Sequence, residues 1–315
     1  MWRADPLQII AAIALDRILG DPRGWPHIAR FAGRLAAFYE KLLAARISRT
    51  VPLGVLFWIL VTGTMVAFYA VLWRLCMALN PLAARVLGTL VIYQAIAATD
   101  LSRHVKAILE PLGNSDLTRA RARLAWIVGR DTQSLDAPEI SRAAIESVAE
   151  STTDAVIAPL FWGFIAGAPG ALIYRTANTL DSIVGHRTNA YEKFGKASAR
   201  IDDLLNWIPS RICAAVFCLF SSAVRWNTIR REAAAHASPN AGWSEAAMAH
   251  ALGVRLGGEN FYDGQRIPGP VFNASSRAAA ATDISTSLAW MWRVTGVCAA
   301  SFVIVLVALR FLRLT

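Results

Sequence analysis

Apolar residues fall in long runs separated by polar blocks, without the strict alternation of an outer-membrane barrel. The clearest run, 51–73, has 23 residues and no charged side chain. At 1.5 Å per residue it covers about 34 Å, enough for a bilayer core. Arg49 and Arg74 flank it. Two further full spans are predicted, 82–99 after an Asn80-Pro81 turn and 294–312 at the end of the chain. Three other runs predict partial or re-entrant segments. The first, 6–20, meets Asp16; the second, 155–174, is interrupted by Gly163, Gly167, Pro169 and Gly170; the third, 208–224, contains Pro209 and Arg211. Irregular backbone at membrane depth is tolerated only where protein or a cavity surrounds it.

Composition sharpens this picture. Of 315 residues 55% are hydrophobic and 17% charged, against about a quarter charged in ordinary soluble domains. Eleven Trp and 13 Phe exclude a disordered chain, and four Cys exclude a disulfide scaffold. The expected fold is therefore an all-α, polytopic helical integral membrane protein, with re-entrant or broken helices and large cytoplasmic loops, in a single membrane-embedded domain over 1–315. Asp5 spoils a basic n-region, so the start does not read as a signal peptide. The net charge of +10 fits the Lys/Arg excess of cytoplasmic loops. The basic residues are dispersed and lack a stacking-aromatic module, so nucleic acid is not expected as a partner.

Chemistry is expected in the polar blocks 100–154, 175–206 and 225–293. Asp136-Ala137-Pro138-Glu139 predicts a helix start. Beyond it Arg142, Glu146, Glu150 and Asp154 recur every four residues, forming one stripe. That stripe is either a solvated face or, because the apolar run 155–162 follows directly, a set of carboxylates needing a cation, an amine or a basic side chain. Asn178 and Asp181 lie one helical turn apart, before Gly185 and His186. They could bind a hard cation or orient an amide, or they could be capping and turn residues. Lys193, Lys196 and Arg200 share a face that suits phosphate or carboxylate, with Asp202 and Asp203 as salt-bridge alternatives. Arg211 inside an apolar run is a functional candidate by default. The segment 237–243 predicts a turn into a helix 244–252, and Gly253–Gly258 is a Gly-rich stretch that is not a Walker A loop. The scattered His and the spacing of the Cys do not suggest zinc.

Taken in order, several motifs resemble one family. They are Leu15-Asp16 with Gly20-Asp21-Pro22, Gly129-Arg130-Asp131-Thr132, the run Glu146–Asp154, Ala158-Pro159-Leu160-Phe161-Trp162, Asn178-Thr179-Leu180-Asp181-Ser182, the run Asp202–Arg211 with Asn206 and Pro209, and Ser238-Pro239-Asn240-Ala241-Gly242. Over about residues 10–265 this resembles the cobalamin-biosynthesis membrane proteins CbiB/CobD, adenosylcobinamide-phosphate synthases. The chain departs at His27-Ile28-Ala29, where the family usually has His-Pro-Val, and at Ser151 and Ser244, often Asn and Pro.

The resemblance implies an ATP-dependent ligase that forms an amide between adenosylcobyric acid, a corrinoid, and an amino-alcohol phosphate, with Mg²⁺. It implies a multi-pass protein of the bacterial cytoplasmic (inner) membrane, active on the cytoplasmic side, where other corrinoid-pathway enzymes could act as partners. On this reading Glu146, Glu150, Asp154 and Asp181 are the catalytic and magnesium-binding carboxylates. Arg130, Asn178, His186, Lys193, Arg200, Arg211 and Asn240 bind substrate or phosphate, and Asp202 and Asp203 orient the cations. No nucleotide motif locates ATP. The alternative is a non-catalytic, AmpE-like sensory relative that keeps the membrane plan.

Overall fold

The computed structural model describes residues 4–22, 24–44, 49–185 and 191–312. Among them the α-helices are α1 (Pro6–Leu19), α2 (Ile28–Ala44), α3 (Val51–Leu79), α4 (Pro81–Ala95), α5 (Ala98–Gly113), α6 (Leu117–Leu124), α7 (Ala137–Ser151), α8 (Ala158–Val184), α9 (Lys196–Phe220), α10 (Trp226–Ala233), α11 (Ala241–Leu252) and α12 (Ala281–Leu312). A π-helical turn, Thr152–Ile157, joins α7 to α8. Four short strands, β1 (Leu256–Gly257), β2 (Asn260–Tyr262), β3 (Gln265–Ile267) and β4 (Val271–Phe272), precede α12.

The protein is an all-α, multi-pass membrane protein. Among the described residues five helical stretches are long and apolar enough to cross a bilayer: Val51–Leu79, Pro81–Gly113, Ala137–Val184, Lys196–Phe220 and Ala281–Leu312. The sequence segment 155–174 falls inside the third of these, and 208–220 of the segment 208–224 inside the fourth, which ends at Phe220. The last helix begins already at Ala281, because Asp283 accepts from Ala280 N–H (2.8 Å) in its first turn.

The chain divides into two compact units. The first comprises Met1–Ala97, Ala158–Asn206 and Ala299–Thr315; the second comprises Ala98–Ile157 and Trp207–Cys298. Helices α9 and α12 each contribute one end to each unit.

In the first unit α4 packs on α1, α3 and α8, and α2 packs on α3 and α8. Asp5 caps α1 by accepting from Leu7 N–H, with Pro6 preset for the first turn. Asn80 does the same for α4 through Leu82 N–H at 2.7 Å. The turn after α1 is pinned from α4: Tyr93 Oη donates to the Gly20 carbonyl, and the Gln94 amide bonds Ile28 N–H and Pro26 O, both at 3.1 Å. Phe57 and Phe194 meet at 5.0 Å between ring centroids within a core of Ala36, Leu53, Val61, Leu180 and Val184. The outward side of α3 leaves Ile59, Phe68, Val71 and Leu75 exposed, as lipid contact requires. Helix α8 breaks at Ala166–Gly167, where Gly167 has φ 65°, followed by Pro169.

In the second unit α7 packs on α5, α6 and α11, and α11 packs on α10. A capping box starts α7: Glu139 N–H donates to Asp136 Oδ1 (2.9 Å) and Asp136 N–H to Glu139 Oε2 (3.0 Å). Strands β1 and β4 pair antiparallel with Leu256 opposite Phe272. Between them β2 and β3 form a hairpin whose Asp263-Gly264 turn has φ of 50° and 74°, as a tight primed turn needs. This β-flap lies in a block with no strand expected from its sequence; two- and three-residue strands are too short to show a period.

Candidate active site

Glu146 is the centre of the polar cluster in the second unit. Helix α7 carries it inward, and its residue is only 4% exposed. Arg130 Nη1 stands 2.7 Å from Oε2, Arg142 Nη1 stands 3.1 Å from Oε1, and Gly257 N–H donates to Oε1 at 2.7 Å. Such a buried ion set persists only with its lone pairs satisfied, and these three donors do that. Arg142 is the α-helical i−4 neighbour of Glu146, so the pairing half of the predicted stripe is present.

The two arginines also bind the β-flap. Arg130 Nη1 and Arg142 Nη2 both donate to Asn260 Oδ1, at 2.7 and 3.1 Å. Arg142 further donates to the carbonyls of Gly257 (2.9 Å) and Glu259 (3.2 Å). Asp131 completes the clasp: its N–H donates to Phe261 O at 2.8 Å, and its Oδ2 accepts from Gly264 N–H at 2.8 Å. The Gly129–Thr132 motif is thus the hinge plate of the flap as well as the source of a cation.

Glu150, one turn beyond Glu146, is solvent-accessible and within electrostatic reach of Arg130, Glu146 and Glu245. Glu245 was not singled out from the sequence. It is the one acid in α11, whose residues Ala241–Ala249 are all buried. A lone carboxylate in an otherwise apolar helix was the available signal. Burial, aided by the charges of Glu146 and Glu150, pushes its carboxyl well above the usual range. His236 Nε2 lies 3.8 Å from Glu245 Oε1, and Nδ1 accepts from Ser238 N–H at 3.0 Å. Burial holds this imidazole below its ordinary pKa. Asp154 sits half-buried on the π-helical turn, near Cys213. The wider π turn changes the angular step after Glu150, so Asp154 does not continue the stripe with α-helical spacing.

Arg211 and Asn240 come together, also in the second unit, in a way the sequence did not suggest. The Arg211 guanidinium lies between the rings of Trp207 and Trp243, 4.6 and 4.8 Å from their centroids. Its Nη1 donates to Asn240 Oδ1 (2.9 Å), Ser210 Oγ (3.0 Å) and Trp207 O (2.9 Å), and its Nη2 donates to Pro239 O (3.1 Å). Ser238 Oγ in turn accepts from Asn240 N–H (3.2 Å) and Ala241 N–H (3.3 Å), starting α11. The Ser238–Gly242 motif and Arg211 therefore set the position of the helix that carries Glu245.

The first unit holds a second cluster. Asp202, only 8% exposed, accepts from Asn206 Nδ2 at 2.9 Å and Asn178 Nδ2 at 3.4 Å. Tyr174 Oη donates to Asn206 Oδ1 at 2.9 Å, and Asp181 lies within electrostatic reach of Asp202. Asn178, Asp181 and Asp202 are thereby joined across α8 and α9. Asp203 faces Arg200 at 3.8 Å on the surface, and Lys193 is exposed. His186 lies outside the described residues.

Among the described residues no three His, Cys, Asp or Glu side chains gather as a metal centre. Glu146 has its oxygens engaged by two guanidinium groups and a backbone N–H. Glu146, Glu150 and Asp154 belong to the second unit and Asp181 to the first.

Beside the cluster, in the second unit, lies a cavity of 580 Å³ lined by Glu139, Arg142, Arg255, Gly257, Gly258 and Glu259 among others. Its walls offer two cations and two carboxylates within one concavity.

Comparison with known proteins gives a consistent result. The family model described as CobD/Cbib protein matches residues 9–291. The chain is 38% identical over 312 residues to the cobalamin biosynthesis protein CbiB of Salmonella choleraesuis (strain SC-B67), covering 93% of this chain and 94% of that protein. It is 38% identical over 301 residues to the cobalamin biosynthesis protein CobD of Klebsiella pneumoniae, covering 92% and 93%. No solved structure matches.

Proposed function

The chain belongs to the CobD/CbiB family, and on that premise we propose that it serves cobalamin biosynthesis as an adenosylcobinamide-phosphate synthase. It joins adenosylcobyric acid to an amino-alcohol phosphate through an amide on a corrin propionate, with ATP. The observation that supports this most directly is the cluster Arg130–Glu146–Arg142 under the β-flap, with Glu150 and Glu245 beside it and a cavity of mixed charge adjoining.

A carboxylate is a poor electrophile, so its oxygen must first be given a leaving group. Transfer of the terminal phosphoryl group of ATP to the propionate yields an acyl phosphate and ADP. The amine then attacks the acyl carbon, inorganic phosphate leaves, and the amine proton passes to a base. Arg142 and Arg255 in the cavity wall supply positive charge for the phosphate of the amino alcohol, while Glu139 and Glu259 suit its ammonium. Glu150, accessible beside Arg130, is our candidate to receive the amine proton. By the family resemblance magnesium would accompany the ATP phosphates and supply positive charge for the transferred phosphoryl group. We place the reaction at the cytoplasmic face of a bacterial inner membrane, where ATP is available.

The test uses the full chain in nanodiscs, supplied with adenosylcobyric acid, (R)-1-amino-2-propanol O-phosphate, ATP and magnesium. Mass spectrometry should detect the amide, with one phosphate released per amide. Glu150→Gln should reduce turnover by about 10²-fold or more, the usual scale for a positioned general base. A folded wild-type protein that binds the corrinoid yet forms no amide would refute the reading.

A further inference from the structure

The first unit contains a second 580 Å³ cavity, remote in composition from the chemistry above. Its body is formed by spans α3 and α4 and by α2, with Phe31, Phe68, Leu72, Leu87, Leu90 and Val91 as apolar lining. Arg30 and Arg34, one helical turn apart on α2, also line it, together with His27 and Trp25. Among the described residues no Asp or Glu lines it. Both arginines are exposed, and Trp25 is 53% exposed. Phe68 of α3 and Leu90 of α4 are 52% and 37% exposed, so the apolar lining is accessible from outside the protein.

An apolar channel beside transmembrane helices, with two guanidinium groups that no acid of the lining faces (Arg30 also donates to the Trp25 carbonyl) and an indole, has the polarity of one kind of molecule. It fits an amphiphile with an apolar tail and an anionic head. A water-soluble anion would gain nothing from the six apolar side chains. A neutral or zwitterionic lipid would leave the paired arginines without net counter-charge. We propose that this cavity binds an anionic phospholipid of the surrounding bilayer, its phosphate group at Arg30 and Arg34 and one acyl chain along Phe31, Phe68 and Leu90. Because α2 is packed on α3 and α8, the bound lipid becomes part of the packing of the first unit.

The full-length protein in mild detergent is titrated with phosphatidylglycerol or phosphatidylcholine carrying brominated acyl chains, which quench nearby indoles. The signal from Trp25 is the fluorescence difference between wild type and Trp25→Phe. Phosphatidylglycerol should quench it at about tenfold lower concentration than phosphatidylcholine, the scale set by two arginines at a membrane surface. Arg30→Gln combined with Arg34→Gln should erase that preference while quenching by phosphatidylcholine persists. Leu90→Phe, which narrows the channel at a part-exposed position, should weaken quenching by both lipids. Equal quenching by the two lipids in wild type, a preference that survives loss of both arginines, or displacement of phosphatidylglycerol by millimolar inorganic phosphate would each overturn the proposal.

Discussion

The backbone N–H of Gly257 donates to Glu146 Oε1 at 2.7 Å, tying a two-residue strand to the buried carboxylate of α7. The residue has φ 74°, and a Cβ built there would lie 2.0 Å from Pro270 O. Glycine is required on both counts. Gly257→Ala should destabilise the β-flap by about 1–3 kcal/mol. Limited proteolysis within 259–270 measures it, and cleavage there should accelerate well before global unfolding.

Glu146 depends on its two cations. Arg130→Met leaves a buried carboxylate undercompensated and should cost about 3–5 kcal/mol. Adding Glu146→Gln to Arg130→Met should recover part of that loss, because the remaining group is neutral and Arg142 and Gly257 can still hydrogen-bond to it. Chemical denaturation of the single and double variants in one detergent provides the comparison; additive losses would refute the coupling.

Glu245 and His236 predict opposite pH dependences. The Glu245 pKa is raised on folding, so its contribution is full below the ordinary value of 4.5 and is lost as pH rises through the folded value. The His236 pKa is lowered, so its contribution is full above the ordinary 6.5 and is lost as pH falls through the folded value. Thermal unfolding of Glu245→Gln between pH 5 and pH 9, about the accessible range, should show a smaller decline at high pH than wild type. His236→Asn should show a smaller decline on the acid side.

Arg211 acts through α11. Arg211→Lys keeps the charge but loses the planar stack between Trp207 and Trp243 and the fork to Asn240 and Pro239. A loss of about 1–3 kcal/mol is expected, from one cation–π site and several hydrogen bonds. The melting temperature should fall while KM for the amino-alcohol phosphate changes little. A large KM increase with unchanged stability would instead mean that Arg211 binds the substrate.

Much of the local structure follows from short-range rules. The uncharged run at 51–73 must be a membrane helix because a bilayer leaves its backbone no other partner. Asp136-Ala137-Pro138-Glu139 starts a helix because its groups satisfy one another. The i, i+4 spacing of Arg142 and Glu146 makes their pairing available before any tertiary contact forms. Ordered motifs, from Gly129–Thr132 to Ser238–Gly242, were enough to mark the family.

Which groups meet was decided by the tertiary structure. Nothing local joins Glu146 to a glycine 111 residues later, gathers Glu245 and His236 around it, or threads Arg211 between two tryptophans. Asn178 and Asp202 likewise lie 24 residues apart and meet only because α8 and α9 pack. Periodicity reports which face of an element is apolar; it carries no information about which distant face covers it. The neutralising partner of a buried charge comes from that distant face, so the all-α membrane class and the helix starting at Asp136 were readable from the chain while the charge pairing at the site required the fold.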